Sequence, residues 1–263
     1  MTTYVLVGGA WLGGWCWQPV VRQLRDNGHD AYPATLTGLG ERVHLASPEV
    51  DLDTHVADVV NLIEYEGLRD VVLLGHSYGG LVVTGVADRV PERISELVYL
   101  DTRPLPDGVA VIDTYPTEAR GYLEKQVREL GEGWKWPMPP QDELANFGSL
   151  KGLDDHQLRL LASRAVAQPF GTFTQPLRLE NPARAGLPKL GIVCSFPMDQ
   201  VRQMIASDDH LFSGLAGPEW RFAELPTGHY PMLSRPEDLA QLLLDLTSEK
   251  PVRSDAPGNE VRA

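Results

Sequence analysis

A serine stands between two glycines in Gly75-His76-Ser77-Tyr78-Gly79, after the apolar run Val71-Val72-Leu73-Leu74 and before Leu81-Val82-Val83. That order places a hydroxyl at a strand-to-helix corner. So sharp a turn strains the serine backbone, and side chains two residues to either side would collide, so glycine is the type the geometry demands at 75 and 79. In a chain with 25 glycines the pattern alone is weak, since a glycine-rich turn closing a buried strand would look the same. The strand before and the helix after make Ser77 the candidate nucleophile. A serine hydroxyl attacks poorly near neutral pH, so acyl transfer also needs a base and a third group that orients the base.

The base is sought among seven histidines. His229, in Pro226-Thr227-Gly228-His229-Tyr230, follows a strand and precedes the last helix, and it is the candidate. His76 is expected to face away from the serine, and His29, His44, His55, His156 and His210 read as ordinary polar residues of helices and loops. Two acids stay open. Asp101 directly follows the strand Leu97-Val98-Tyr99-Leu100, whose neighbour should carry Ser77, whereas Asp199 lies five residues past Cys194 after the next strand. Negative charge on a tetrahedral intermediate must be met by fixed donors, each worth roughly 3 to 4 kcal/mol of barrier. The Tyr78 amide is one such donor, and the Ala10 amide, in Gly8-Gly9-Ala10-Trp11-Leu12-Gly13-Gly14, is the expected second. The same glycines do not match the dinucleotide spacing G-x-G-x-x-G, and Trp11 would obstruct a phosphate. No cofactor is expected, and cysteine pairs at zinc spacing are absent, so no metal is expected either.

To bring these groups together the chain must alternate strands and helices, and it does through the first hundred residues. Strands are expected at 4–7, 29–34, 70–74 and 96–100, with helices at 15–26, 53–66 and 81–89 between them. From 104 to about 188 the pattern changes to helix-like pieces broken by prolines and aromatics, including Tyr115, Trp134, Trp136, Phe147, Phe170 and Phe173. Strands at 190–194 and 220–225 and helices near 200–207 and at 236–246 then resume it. The expected architecture is α/β, a mostly parallel central sheet flanked by helices. Residues 1–103 and 186–248 would form the core, 104–185 an inserted helical lid, and 249–263 a disordered tail without apolar periodicity.

Composition sets bounds around this reading. The chain has 263 residues, 43% hydrophobic and 22% charged, which suits one core plus an insertion. A formal net charge of −13 opposes nucleic acid and anionic membrane, since binding either needs clustered Lys and Arg. Cys16 and Cys194 cannot build a disulfide framework and read as small buried hydrophobes. No run is long enough to span a membrane, and the apolar start lacks a basic leader, so a reduced, cytoplasmic setting is expected.

Four stretches, VLVGGAWLGGWCW, GHSYGG, VYLD and LPTGHYPMLSRPEDLA, together resemble the α/β-hydrolase superfamily, in the branch of bacterial small esterases related to plant methyl esterases and hydroxynitrile lyases. The resemblance spans nearly the whole chain outside the lid and tail. It implies Ser77 as nucleophile, His229 as base, Asp101 rather than Asp199 as acid, and the Ala10 and Tyr78 amides as oxyanion hole. Members usually carry His-Gly where this chain has Gly8-Gly9, and that histidine braces the oxyanion loop. Hydroxynitrile lyases carry a threonine and a lysine where this chain has Gly9 and Tyr230. The expected activity is hydrolysis of a small, neutral, hydrophobic carboxylic ester or lactone. Lyase or cyclase chemistry on the same scaffold, or a non-hydrolytic ligand-binding role, are the alternatives. Trp11, Trp134, Trp136 and Tyr230 are the expected pocket residues. The small-molecule ester is the only partner expected besides a second copy of the chain in a homodimer.

Overall fold

The computed structural model describes residues 1–207 and 211–248. The predicted tail at 249–263 and His210 lie outside the described residues. Strand β1 (Thr3–Val7) is followed by α1 (Gln18–Asp26), β2 (Asp30–Ala34), α2 (Leu52–Tyr65), β3 (Val71–His76), α3 (Gly79–Arg89) and β4 (Ile94–Leu100). The expected helix at 15–26 is in fact a 3-10 turn at Gly14–Trp17 and then α1, because Pro19 can occupy only the first turn of an α-helix. Val20, Val21 and Leu24 of α1 are buried as one stripe, and Gly28, at φ +79°, ends it in the left-handed conformation glycine tolerates. Asp51 caps α2 by accepting from the Thr54 amide.

The six core strands, completed by β7 (Lys189–Val193) and β8 (Trp220–Glu224), run in the order β2-β1-β3-β4-β7-β8, and every ladder between them is parallel. Buried on both faces, β3 is apolar along its length, as a central parallel strand must be. The chain builds outward from β1 in both directions. Right-handed crossovers therefore put α1 on one face, where it packs against α10 (Pro236–Ser248), and α2 against α3 on the other. The point where the winding reverses lies between β1 and β3, and ligands of open parallel sheets bind there, beyond the carboxyl ends of the strands.

Between β4 and β7 the chain forms α4 (Thr117–Leu130), β5 (Lys135–Trp136), α5 (Gln141–Leu144), α6 (Asp155–Arg164), β6 (Gln168–Pro169) and α7 (Gly171–Thr174). None of these joins the main sheet; β5 and β6 pair with each other, antiparallel. The core resumes with β7 (Lys189–Val193), α8 (Met198–Ile205), β8 (Trp220–Glu224), α9 (Pro231–Ser234) and α10 (Pro236–Ser248).

Candidate active site

Ser77 follows the last residue of β3 at φ +50°, a left-handed backbone that a side chain other than glycine's adopts only under strain. The flanking glycines are required sterically. A Cβ on Gly75 would lie 2.4 Å from the Gly79 carbonyl oxygen, and one on Gly79 would lie 2.6 Å from that of Gly8. Asp101, directly after β4, is left-handed as well, at φ +49°, and so is Trp11, at φ +66°, in the loop after β1. Strained residues thus follow three adjacent strands, β1, β3 and β4.

His229 Nδ1 lies 2.7 Å from Asp101 Oδ2. A carboxylate only accepts, so Nδ1 carries the proton and Nε2 is left as the unprotonated nitrogen. Asp101 Oδ1 accepts from the amides of Cys194 (3.0 Å) and Ser195 (2.9 Å), and Oδ2 also accepts from Ser195 Oγ at 2.5 Å. Burial would by itself raise the Asp101 carboxyl. The His229 hydrogen bond and charge and the Ser195 bonds outweigh it, holding the group well below the usual carboxylate range. Asp199, by contrast, sits in the first turn of α8 with its side chain 87% exposed and pairs with Arg202 at 3.6 Å. Of the two acids only Asp101 meets the imidazole, because Pro197 starts a new helix that carries Asp199 away from it.

Ser77 and His229 line the same cavity, of about 140 Å³, together with Ala10, Trp11, Tyr78 and Tyr230. Neither the Ala10 nor the Tyr78 amide is hydrogen-bonded among the described residues, and the latter stands at the N-terminus of α3, where helix amides are unsatisfied. From the insertion come Trp136, Phe147 and Phe173. Trp136 meets Trp11, Phe147 and Phe173 edge to face at 4.5, 5.0 and 5.3 Å, and Phe173 stacks on Tyr78 at 5.5 Å. Thr102 and Arg103 also line the cavity, as do Thr114 and Tyr115 from the first part of the insertion.

Several expectations are corrected. Trp134 does not reach the cavity. It lies in the turn that closes α4, its amide donating to the Gly131 carbonyl and its ring taken by the Lys135 ammonium at 5.1 Å. His76 does not face away from the serine. It is fully buried, lines the cavity, and has Nε2 2.6 Å from the His229 carbonyl oxygen. A carbonyl cannot donate, so Nε2 carries the proton. Burial first, and then the charge of His229 beside it, lower the His76 pKa and keep the ring neutral. His55 is no ordinary polar residue either: wholly buried, it bonds the Tyr78 hydroxyl at 2.9 Å and the Thr37 carbonyl at 2.8 Å, and burial lowers its pKa to about 4.

Contacts from distant sequence went unread. Gly148, in the insertion, lies so close to His229 that a Cβ there would be 2.6 Å from Cδ2, and the Ser149 carbonyl accepts the His229 amide at 2.7 Å. Ser195 had one signal, its position just past β7, where an acid was sought; Gly148 had none. Among the described residues no group of three or more His, Cys, Asp or Glu side chains is placed to hold a metal ion, and no helix is long and apolar enough to cross a membrane. Both cysteines are free and buried.

A model of the alpha/beta hydrolase family matches residues 4–242. The chain is 34% identical over 254 residues to a carbendazim hydrolyzing esterase of Nocardioides sp. (strain SG-4G), covering 94% of this chain and 100% of that protein. It is 26% identical over 266 residues to methylesterase 9 of Arabidopsis thaliana, covering 95% of this chain and 100% of the relative. Among solved structures, an extracellular alpha/beta-hydrolase from a Paenibacillus species, with structural and functional homology to tobacco salicylic acid binding protein 2, matches with a TM-score of 0.75. At 24% identity over 93% of this chain and 98% of the other, that likeness speaks for the fold. A parallel sheet that delivers a strained serine, a carboxylate-bound histidine and two amides unpaired among the described residues to one crevice therefore has a lineage: the chain belongs to the alpha/beta hydrolase family, among relatives that include an esterase and methylesterases.

Proposed function

We propose that this protein hydrolyses a small, neutral, hydrophobic carboxylic ester through an acyl-enzyme on Ser77. His229 Nε2 takes the hydroxyl proton as Ser77 Oγ attacks the ester carbon, and returns it to the departing alcohol. Water, deprotonated by the same nitrogen, then releases the acid. Asp101 holds the ring in the tautomer that leaves Nε2 free and stabilises the imidazolium that forms. The Ala10 and Tyr78 amides take the charge of the tetrahedral oxygen. The observation that carries this reading is the 2.7 Å bond from His229 Nδ1 to Asp101, with Ser77 and His229 on one cavity. The aromatic wall of Trp11, Trp136, Phe147 and Phe173 supports an apolar acyl or alcohol group of modest size.

Lyase chemistry is disfavoured by space as well as by residue type. A side chain at Gly9 would put its Cβ 2.9 Å from His76 Nδ1 and 3.0 Å from Ser77 Cβ, so the loop has no room for a threonine. Residues 104–185 act as the cap over the cavity, and the two free buried thiols suit a reducing, cytoplasmic compartment. The test is pre-steady-state turnover of short p-nitrophenyl esters. The wild-type chain should give a burst of p-nitrophenol, and Ser77→Ala should abolish both burst and turnover. Turnover that survives Ser77→Ala but not His229→Ala would replace the acyl-enzyme with base-only chemistry.

A further inference from the structure

The loop that presents Ala10 begins Gly8-Gly9, so its first two residues have no side chain with which to anchor to the sheet. Yet its next residue, Trp11, holds a left-handed backbone at φ +66°, a conformation costing a bulky residue roughly 1 to 3 kcal/mol. Something must hold it there. Within the loop the Leu12 amide closes the turn on the Gly9 carbonyl at 3.3 Å, and the further holding contacts come from the insertion. The Trp11 amide donates to Gln168 Oε1 at 3.1 Å, the Trp11 carbonyl accepts from the Val166 amide at 3.1 Å, and the indole Nε1 donates to the Trp136 carbonyl at 3.2 Å. Gln168 has no exposure to solvent, and its Nε2 donates to Thr172 Oγ1 at 2.8 Å. That second bond decides which end of the carboxamide faces Trp11. Thr172 Oγ1 in turn donates to the Pro169 carbonyl at 2.6 Å, so its lone pair, not its proton, meets the amide. A flipped Gln168 would set Nε2 against the Trp11 N–H, donor to donor.

We propose that Gln168 is a positioning residue for the oxyanion hole: its carboxamide, oriented by Thr172, locks Trp11 in the left-handed conformation and so keeps the preceding Ala10 amide turned into the Ser77 cavity. This rests on the acyl-enzyme reading above and adds to it that the cap is part of the catalytic frame.

Three measurements on the full chain test this. In Gln168→Met, which keeps bulk and removes the acceptor, kcat on p-nitrophenyl butyrate should fall roughly 10- to 100-fold with KM within about twofold. Affinity for a trifluoromethyl ketone, which forms an oxyanion on Ser77, should fall by the same factor, while inhibition by butyrate stays unchanged. Gln168→Glu, whose buried carboxyl would be neutral and could accept from the Trp11 amide on its carbonyl oxygen while donating its O–H to Thr172 Oγ1, should recover most of the loss. A merely loosened cap would instead raise KM and the butyrate constant together. Should Gln168→Met not fold, Thr172→Val replaces it, with the same pattern expected at a few-fold size. Amide hydrogen exchange in the 8–14 peptide, roughly tenfold or more faster in either variant with the 75–80 peptide unchanged, reads the brace without reference to catalysis. Wild-type kcat, or unchanged exchange in 8–14, overturns the proposal. An inactive wild-type chain whose 8–14 exchange does respond would instead overturn the acyl-enzyme reading and leave the brace standing.

Discussion

Replacing Asp101 by Asn tests the electrostatic frame of the site while keeping the number of heavy atoms. The Asp101 carboxylate accepts from the Cys194 and Ser195 amides on Oδ1 and from Ser195 Oγ and His229 Nδ1 on Oδ2. Two backbone amides can only donate, so in Asp101→Asn the oxygen of the carboxamide must stay on the Oδ1 side. Its NH2 then faces Ser195 Oγ, which can accept, and His229 Nδ1, which must now offer a lone pair. The imidazole proton moves to Nε2, and the nitrogen facing the cavity ceases to be a base. Loss of the correct tautomer costs on the order of four powers of ten in kcat, about 5.5 kcal/mol of barrier. The assay is steady-state hydrolysis of p-nitrophenyl butyrate beside a thermal melt, with Asp199→Asn as the control. Exposed, and paired among the described residues only with Arg202, Asp199 should be dispensable, its variant staying within about twofold of wild type. A folded Asp101→Asn enzyme within tenfold of wild type would refute the tautomer argument, and a large loss in Asp199→Asn would refute the assignment of the acid.

Two further substitutions probe contacts that lie outside the triad. Gly148→Ala would push a methyl group to 2.6 Å from His229 Cδ2, so the ring must move. We expect kcat/KM to drop roughly 10- to 100-fold with a wild-type melting curve, and unchanged kcat/KM would show that the neighbouring loop yields instead. His55 has its pKa lowered by burial from 6.5 to about 4, so it stays neutral in the folded chain while the unfolded chain takes up a proton. Its contribution to stability is therefore complete above pH 6.5 and disappears as pH falls toward 4, up to about 3 kcal/mol. His76, lowered in the same direction, adds to the loss. Urea unfolding from pH 7 to 4.5 should show stability falling with pH, and His55→Gln should flatten that slope; equal slopes would mean that His55 is protonated in the fold.

Much of the core could be read because its signals are local. A run such as Val71-Val72-Leu73-Leu74 declares a buried strand by itself, and Asp101 stands in the residue after such a run. The misread histidines had a local signal too. His55 falls three residues after Leu52 and four before Val59, on the buried stripe of α2, and polarity alone made it seem exposed. His76 belongs to β3, all of whose residues are buried, so position in a central strand should have outweighed its type. What stayed illegible joins distant segments. The Gln168 bond to Trp11 spans 157 residues, and no period or motif connects the two. Trp134 and Trp136 were equal candidates until the Gly131 turn separated them, sending one ring into the cavity and the other to Lys135.

The three strained residues of the site differ in what holds them, and that difference explains why the insertion cannot be a passive cover. Ser77 and Asp101 extend the sheet's own ladder one step beyond the strands: the Ser77 amide donates to the Leu100 carbonyl at 3.3 Å and the Asp101 amide to that of Ile192 at 2.8 Å. Their left-handed turns are thus bound to the most rigid part of the fold. Trp11, four residues beyond the end of β1, is past the reach of that ladder, and its backbone bonds go instead to Gln168 and Val166. In the proposed mechanism nucleophile and acid are thus held by the core, whereas Trp11 of the proposed oxyanion loop is bonded to the insertion, and the insertion's Gly148 and Ser149 meet one side of His229. Exchanging the insertion for another of similar size would therefore alter the rate of the chemical step along with the choice of substrate. The strain at positions 77 and 101 would survive such an exchange, and that at position 11 would relax.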